Sequence, residues 1–323
     1  MSRRGWWLFA AMGLIWGVPY LLIKVAVGGV APPVLVLARV SIGALILLPL
    51  AIRRHELAVL RPHWRWLAVF ALVEIIVPWL LLTEAETRLS SSLSGLLIAA
   101  VPIIVAVIAR LTGSRDRLPP VRWAGLLVGL AGVAVLLGPG APRGETGEVA
   151  EVLGVAVCYA IGPLIASRKL SALPPLGMTA ACLAFAALIY APLAALTWPS
   201  AVPAGKVFGA IAGLAVICTA VAFLGFFALI AEVGPARATV ITYINPAVAV
   251  ALGALVLGER ITIGMGAAFA LILGGSVLAT RGQRGQDGQE AAAASEPAEP
   301  AVLTPPPGSG PAGYPSASPG RGR

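Results

Sequence analysis

Apolar residues in this chain gather into long runs, and polar residues are confined mostly to the short gaps between them. Ten runs stand out, at about residues 5–26, 34–52, 64–86, 93–111, 121–138, 149–167, 176–197, 207–231, 238–257 and 262–280. Each is close to the ~20 residues that carry a helix across a bilayer. Helix is the expected form, because a backbone facing lipid must satisfy its own hydrogen bonds. The runs do not alternate apolar and polar positions, as the strands of a membrane β-barrel would. The pattern predicts an all-α polytopic membrane protein with ten transmembrane helices. Residues 281–323 are a different material, rich in Gly, Gln, Ala, Glu, Pro and Ser. They read as a disordered cytoplasmic tail.

Composition agrees with a lipid solvent. Hydrophobic residues make up 59% of the 323 positions and charged residues 11%, against about 25% charged in an ordinary soluble domain. The first run, behind Arg3-Arg4, is too long for the apolar region of a signal peptide and is read as a retained span. The net charge of +9 raises nucleic acid as a partner, but the charge lies in the gaps and forms no basic face, so nucleic-acid binding is set aside. The cations give orientation instead. With the N-terminus inside, fifteen Lys and Arg fall at cytoplasmic ends and five at outer ends, which predicts N-in and C-in. Trp6, Trp7, Trp64, Trp66, Trp123 and Trp198 fall at run ends, where indole rings prefer the interface. Trp16 and Trp79 lie deeper. Cys158, Cys182 and Cys218 sit singly inside runs as small packing residues, and His55 and His63 share one basic loop. Neither set has the spacing of a metal site, and no cofactor is implied.

The chain also repeats itself. A shift of 144 lays Pro19 on Pro163, Lys24 on Arg168 and Pro102 on Pro246. Nearby shifts align Pro32-Pro33 with Pro174-Pro175, Pro49 with Pro192, and Gly132 with Gly275. Residues 1–144 and 145–280 thus read as two halves of five spans each. Five is odd, so the second half enters the membrane inverted, an arrangement suited to alternating access around a central site.

Several stretches carry a family resemblance: Ile15-Trp16-Gly17; Leu37-Ala38-Arg39-Val40; the approach from Ser90 to Pro102; Gly234-Pro235-Ala236-Arg237-Ala238; Tyr243-Ile244-Asn245-Pro246; and Leu257-Gly258-Glu259 before a Gly-rich last span. In their order and spacing the chain, over about residues 5–280, resembles the EamA family of the drug/metabolite transporter superfamily. The resemblance implies ten helices in two inverted repeats. It implies a central cavity lined mainly by spans one, three, four, six, eight and nine, with spans five and ten peripheral, and small metabolites, often moved outward: amino acids, related organic solutes, sometimes drugs. The chain departs from the family pattern at Tyr159-Ala160, where a Trp-Gly pair is usual.

Candidate site residues are the polar groups inside the runs. Glu74 lies near the middle of span three, where a charge costs roughly 2.5–3.5 kcal/mol on insertion scales. Arg39 lies in span two at a depth differing by about 9 Å, counted at 1.5 Å per residue. Glu74 is either a substrate-amine or proton site, the partner of Arg39 in a structural ion pair, or simply exposed. Gly13, Trp16, Gly17, Tyr20 and Lys24 share one face of span one by steps of three and four. That face either lines the cavity or packs on a helix, and Lys24 either joins it or snorkels outward. Asn245, the only Asn in the chain, precedes Pro246, which frees a carbonyl about one turn back. The pair is either a ligand cradle or a packing kink. Tyr243 shares a face with Thr239, Thr242 and Pro246. Trp79 and Tyr159 complete the candidate substrate-binding set, and Pro78, Pro102 and Pro246 are candidate hinges. Gly125, Gly129 and Gly132, and likewise Gly209 and Gly213, have the spacing of close helix contacts.

No HExxH, GxSxG or GxxxxGK[ST] run appears, and no His lies inside a span, so neither catalysis nor ATP hydrolysis is expected. The reading is a secondary transporter in a bacterial inner membrane. It would export a small organic solute through a central cavity, driven by the solute gradient or by protons. The alternative is a non-transporting scaffold or lipid-handling protein of the same fold.

Overall fold

The computed structural model describes residues 2–111, 120–136, 146–234 and 238–280. Every regular element among them is helical. The first apolar run forms two helices, α1 (Arg3–Ile15) and α2 (Pro19–Ala26), and the second forms α3 (Pro32–Arg53). The third begins with a 3-10 turn (Ala58–His63) and continues as α4 (Trp64–Ala71), a π-helical stretch (Leu72–Ile76) and α5 (Val77–Arg88). The fourth splits into α6 (Ser91–Ile98) and α7 (Val101–Leu111), and α8 is Pro120–Leu136. Then come α9 (Thr146–Lys169) and α10 (Pro175–Leu196). The eighth run mirrors the third: α11 (Gly205–Ala212), a π-helical stretch (Gly213–Val221) and α12 (Ala222–Val233). A 3-10 turn (Thr239–Tyr243) leads into α13 (Asn245–Leu257), and α14 is Ile263–Thr280.

Proline chemistry explains most of the breaks. Pro lacks the N–H that a helix interior needs and is tolerated in a first turn. Pro19, Pro78, Pro102 and Pro246 each stand in the first turn of a new helical piece. Eight of the resulting helical stretches are long and apolar enough to cross a membrane, and two shorter apolar ones, Trp123–Val135 and Ile263–Leu278, accompany them among the described residues.

Helices pair through small residues. A Cβ added to Gly275 would fall on the backbone of Gly125 and Gly129, so α8 and α14 touch backbone to backbone, the contact that small residues permit in membranes. The spacing at Gly209 and Gly213 has a different outcome. Gly213 meets Leu22, but nothing lies near Gly209, so those two glycines do not form one helix seam. Where α1 breaks, Gly17 lies against Val248 and the Asn245 carbonyl of α13. The breaks in the first and ninth runs therefore meet. The six tryptophans assigned to run ends are all exposed, whereas Trp79 is 6% exposed. Burial of Trp79 rather than interface anchoring is its physical role.

Candidate functional site

Arg39 is the centre of the buried polar groups. It stands two turns into α3 and is 9% exposed. Its guanidinium lies over the Trp79 ring of α5, 3.7 Å from the ring centroid. Its Nε donates to Thr219 Oγ1 in the second π stretch at 2.9 Å. Of the guanidinium's five N–H donors, this is the one that finds a hydrogen-bond partner among the described residues. The electrostatic neighbours of Arg39 are Cys218, Tyr159, Tyr20 and Glu86.

The local structure sets this geometry. A π turn shifts the register of the side chains beyond it. Thr219 is turned inward and is fully buried, and its hydroxyl donates to the Leu214 carbonyl at 2.8 Å. The same hydroxyl oxygen then accepts from Arg39. The π stretch at Leu72–Ile76 precedes Trp79 in the same way. Its Ile76 carbonyl accepts a hydrogen bond from the Tyr190 hydroxyl of α10. A Trp in this position can bury its body while keeping its N–H near polar groups; here Tyr159 of α9 lies beside it.

Glu74 does not pair with Arg39. The ion pair formed among the described residues is Arg88–Glu148, at 3.0 Å. Glu74 is half-buried in the first π stretch, its Oε2 has no hydrogen-bond partner, and it lies against Gly162 of α9. The depth difference and the rotation that the π stretch imposes carry it to a different neighbour.

Glu86 is a second buried carboxylate, one the sequence did not single out. It is 0% exposed, and both its carboxylate oxygens lack hydrogen-bond partners. Lys24 is beside it, but the amine donates to the backbone carbonyls of Glu86 and Leu89, at 2.8 and 2.7 Å. The Lys24 amine is thus anchored at the C-terminal end of α5. Glu86 stands in the polar string Thr-Glu-Ala-Glu-Thr-Arg, which reads as a solvated end. The signal available was spacing: Trp79, Leu82, Thr83 and Glu86 are separated by steps of three and four, and all are buried.

With the helices and this cluster in place, the comparison with known proteins is direct. The sequence pattern of the EamA-like transporter family matches residues 3–138 and 148–281. The chain belongs to that family. A relative from Escherichia coli (strain K12), described as the uncharacterized inner membrane transporter YedA, is 30% identical over 279 residues, covering 84% of this chain and 89% of the relative. A second, the uncharacterized transporter YvbV of Bacillus subtilis (strain 168), is 24% identical over 278 residues, covering 82% of this chain and 88% of its own. A solved crystal structure overlays with a TM-score of 0.62 at 25% identity, covering 89% of this chain and all of the other. The chain is thus a multi-pass inner-membrane protein of a transporter family, and neither family nor relatives carry an enzyme's name.

The remaining candidates of this EamA-like chain take up contacts on several helices. Tyr20 is buried in α2 and joins the electrostatic neighbourhood of Tyr159, Glu86 and Arg39. Trp16 leans on Phe226 and Phe223 of α12, at 4.6 and 6.2 Å between ring centroids. With its amide nitrogen turned toward acceptors, Asn245 donates to the Gly13 carbonyl at 3.1 Å and the Ile241 carbonyl at 3.0 Å. Its side chain ties α13 to α1 across their two breaks. The Tyr243 hydroxyl points to the Ser276 carbonyl of α14, at 3.5 Å. The structure thus brings Tyr20, Arg39, Trp79 and Tyr159 together, leaves Glu74 to one side, and sets Trp16, Tyr243 and Asn245 in contacts between helices.

Proposed function

We propose that this EamA-like protein is a secondary transporter that exports a small organic metabolite, an amino acid or related solute, by alternating access through a central cavity. The observation that carries the reading is Arg39. A guanidinium inside a membrane is costly, and such groups are by default functional. This one is held rigid by a ring and a single hydroxyl, and its remaining N–H donors match the planar, two-pronged geometry of a carboxylate. Trp79, Tyr20 and Tyr159 supply aromatic and hydroxyl surface around it.

Two inverted halves, residues 1–144 and 145–280, oriented N-in and C-in, are the moving parts of the proposal. The π stretch Leu72–Ile76, displaced by 144, falls within the π stretch Gly213–Val221. The family pattern also matches in two blocks. Both support a repeat whose halves rock about a shared centre. Pro78, Pro102 and Pro246 head the pieces that would hinge. Energy comes from the solute gradient or from protons.

The test is flux in proteoliposomes with a panel of labelled amino acids and small amines, with and without a pH gradient. Saturable movement of a panel member, lost in Arg39→Gln, supports the reading. A cooperatively folded protein that moves no panel member would overturn it and favour the scaffold or lipid-handling alternative.

A further inference from the structure

We infer that Glu86 is a proton-exchange site of this membrane protein, linked electrostatically to Arg39; its place in a transport cycle rests on the function proposed above. The argument begins with enclosure. Glu86 is 0% exposed, and neither carboxylate oxygen meets a hydrogen-bond donor. A buried carboxylate in that state takes up a proton or finds a cation. The cation at hand is Lys24, yet its amine is held by two backbone carbonyls at the C-terminal end of α5. Arg39 is within electrostatic range but is held by Trp79 and Thr219. Two positive charges thus stand near the carboxylate without closing an ion pair on it. A buried carboxylate left unpaired near two cations changes its protonation when one of those charges changes.

The groups facing Glu86 are few. They are Lys24 and Tyr20 from α2, Arg39 from α3, and the carboxylate of Glu259 from the segment after α13. An anionic group bound at Arg39 would cancel one of the two positive influences. Glu86 would then take up a proton as the anion arrives and lose it as the anion leaves. The linkage is reciprocal, so a protonated Glu86 leaves Arg39 a stronger anion site. Glu74 is set differently. It is half-buried, only one of its oxygens is enclosed without a partner, and no cation stands among its electrostatic neighbours.

The test needs no substrate. Infrared difference spectra of the full-length protein in liposomes are recorded from mildly acidic to mildly alkaline pH. The carbonyl stretch of a protonated buried carboxyl should appear at the acidic end and be lost on alkalinisation. One component of it should be lost in Glu86→Gln and kept in Glu74→Gln, and in Arg39→Gln that component should persist to higher pH. Should Glu86→Gln fail to fold, Glu86→Asp should keep the band at a displaced frequency. A Glu86→Gln spectrum that keeps every component of the wild-type band, or a Glu86 component that does not respond to pH, overturns the proposal. So does an Arg39→Gln protein that titrates as wild type, because the link is then absent. Failure of the flux assay alone leaves this spectroscopic result standing, so the two proposals fail separately.

Discussion

The Glu259 carboxylate holds Ser92 twice, accepting from its backbone N–H at 2.9 Å and from its hydroxyl. The other carboxylate oxygen accepts from the N–H and hydroxyl of Ser91, at 2.7 and 3.0 Å. A carboxylate here satisfies orphan donors at a helix N-terminus and meets the positive end of its dipole. Gly258 makes the reach possible by taking the left-handed conformation, φ 67°, at the end of α13. Burial alone would raise the Glu259 carboxyl, but the hydrogen bonds from Ser92 and Ser91 outweigh it and hold it below its ordinary range. A group lowered in the folded state stabilises the fold above its unfolded value, ~4.3 for Glu, and the contribution fades as pH falls through the folded value. Glu259→Gln should therefore cost about 1–2 kcal/mol at neutral pH, the range of a lost cap. Melting in detergent at a series of pH values should show the two proteins converging in acid. A difference that stays constant with pH would mean that charge is not what holds the contact.

Gly162 and Glu74 form a fitted pair between α9 and the first π stretch. A Cβ on Gly162 would overlap Glu74 Oε2. Gly162→Ala should destabilise by about 1–3 kcal/mol, the usual cost of an overfilled interior. Glu74→Ala should restore much of that loss when combined with it. A double-mutant cycle on melting should then give a coupling above about 0.5 kcal/mol. Strict additivity would mean that Glu74 swings away freely and that the contact does not constrain it.

Neighbouring glycines in α14 give an internal control on helix packing. Gly275 has the α8 backbone where its Cβ would stand, whereas Gly274 has nothing within 4 Å. Gly275→Ala should lower the melting temperature through a forced separation of α8 and α14, at about 1–3 kcal/mol. Gly274→Ala should leave it unchanged or raise it slightly, because Ala is the better helix former. Equal effects at the two positions would remove the seam.

The apolar runs and their boundaries were legible in the sequence, because lipid leaves one solution for a backbone and proline marks where it breaks. That Gly125, Gly129 and Gly132 would sit at a close helix contact was legible from their spacing, but that α14 would be the partner was not. The π stretches were not. Neither Leu72–Ile76 nor Gly213–Val221 carries a residue that distinguishes a π turn from an α turn in a sequence alone. Those turns rotate every side chain beyond them, so the partners of Glu74, Trp79 and Thr219 could not be read from α-helical spacing. Arg39 was found by its cost, but Glu74, one of the alternatives for its partner, lies against Gly162 instead. Glu86 was hidden by its polar neighbours Glu84, Thr87 and Arg88, although helical spacing places it below Trp79 and Thr83. Asn245 stood out by rarity, and rarity did not say that two carbonyls would take up its amide.

Arg39 lends itself to a test that separates recognition from support. Were it a strut, removing it would weaken the fold. The geometry says otherwise. Thr219 keeps a partner when Arg39 is gone, because its hydroxyl donates to Leu214 at 2.8 Å. A Met side chain fills much of the same volume and packs well on an aromatic ring such as Trp79. Replacing a buried charge with an apolar group of similar size is often neutral or stabilising. Arg39→Met should therefore melt at the wild-type temperature or higher, by about 1 kcal/mol at most, and yet carry no flux. Arg39→Lys should keep the charge but lose the planar fork, so flux should fall at least tenfold, about 1.4 kcal/mol, with little change in melting. A sharp loss of stability in Arg39→Met, with residual flux in proportion to the folded protein, would make Arg39 a strut and would remove the observation on which the transport reading stands.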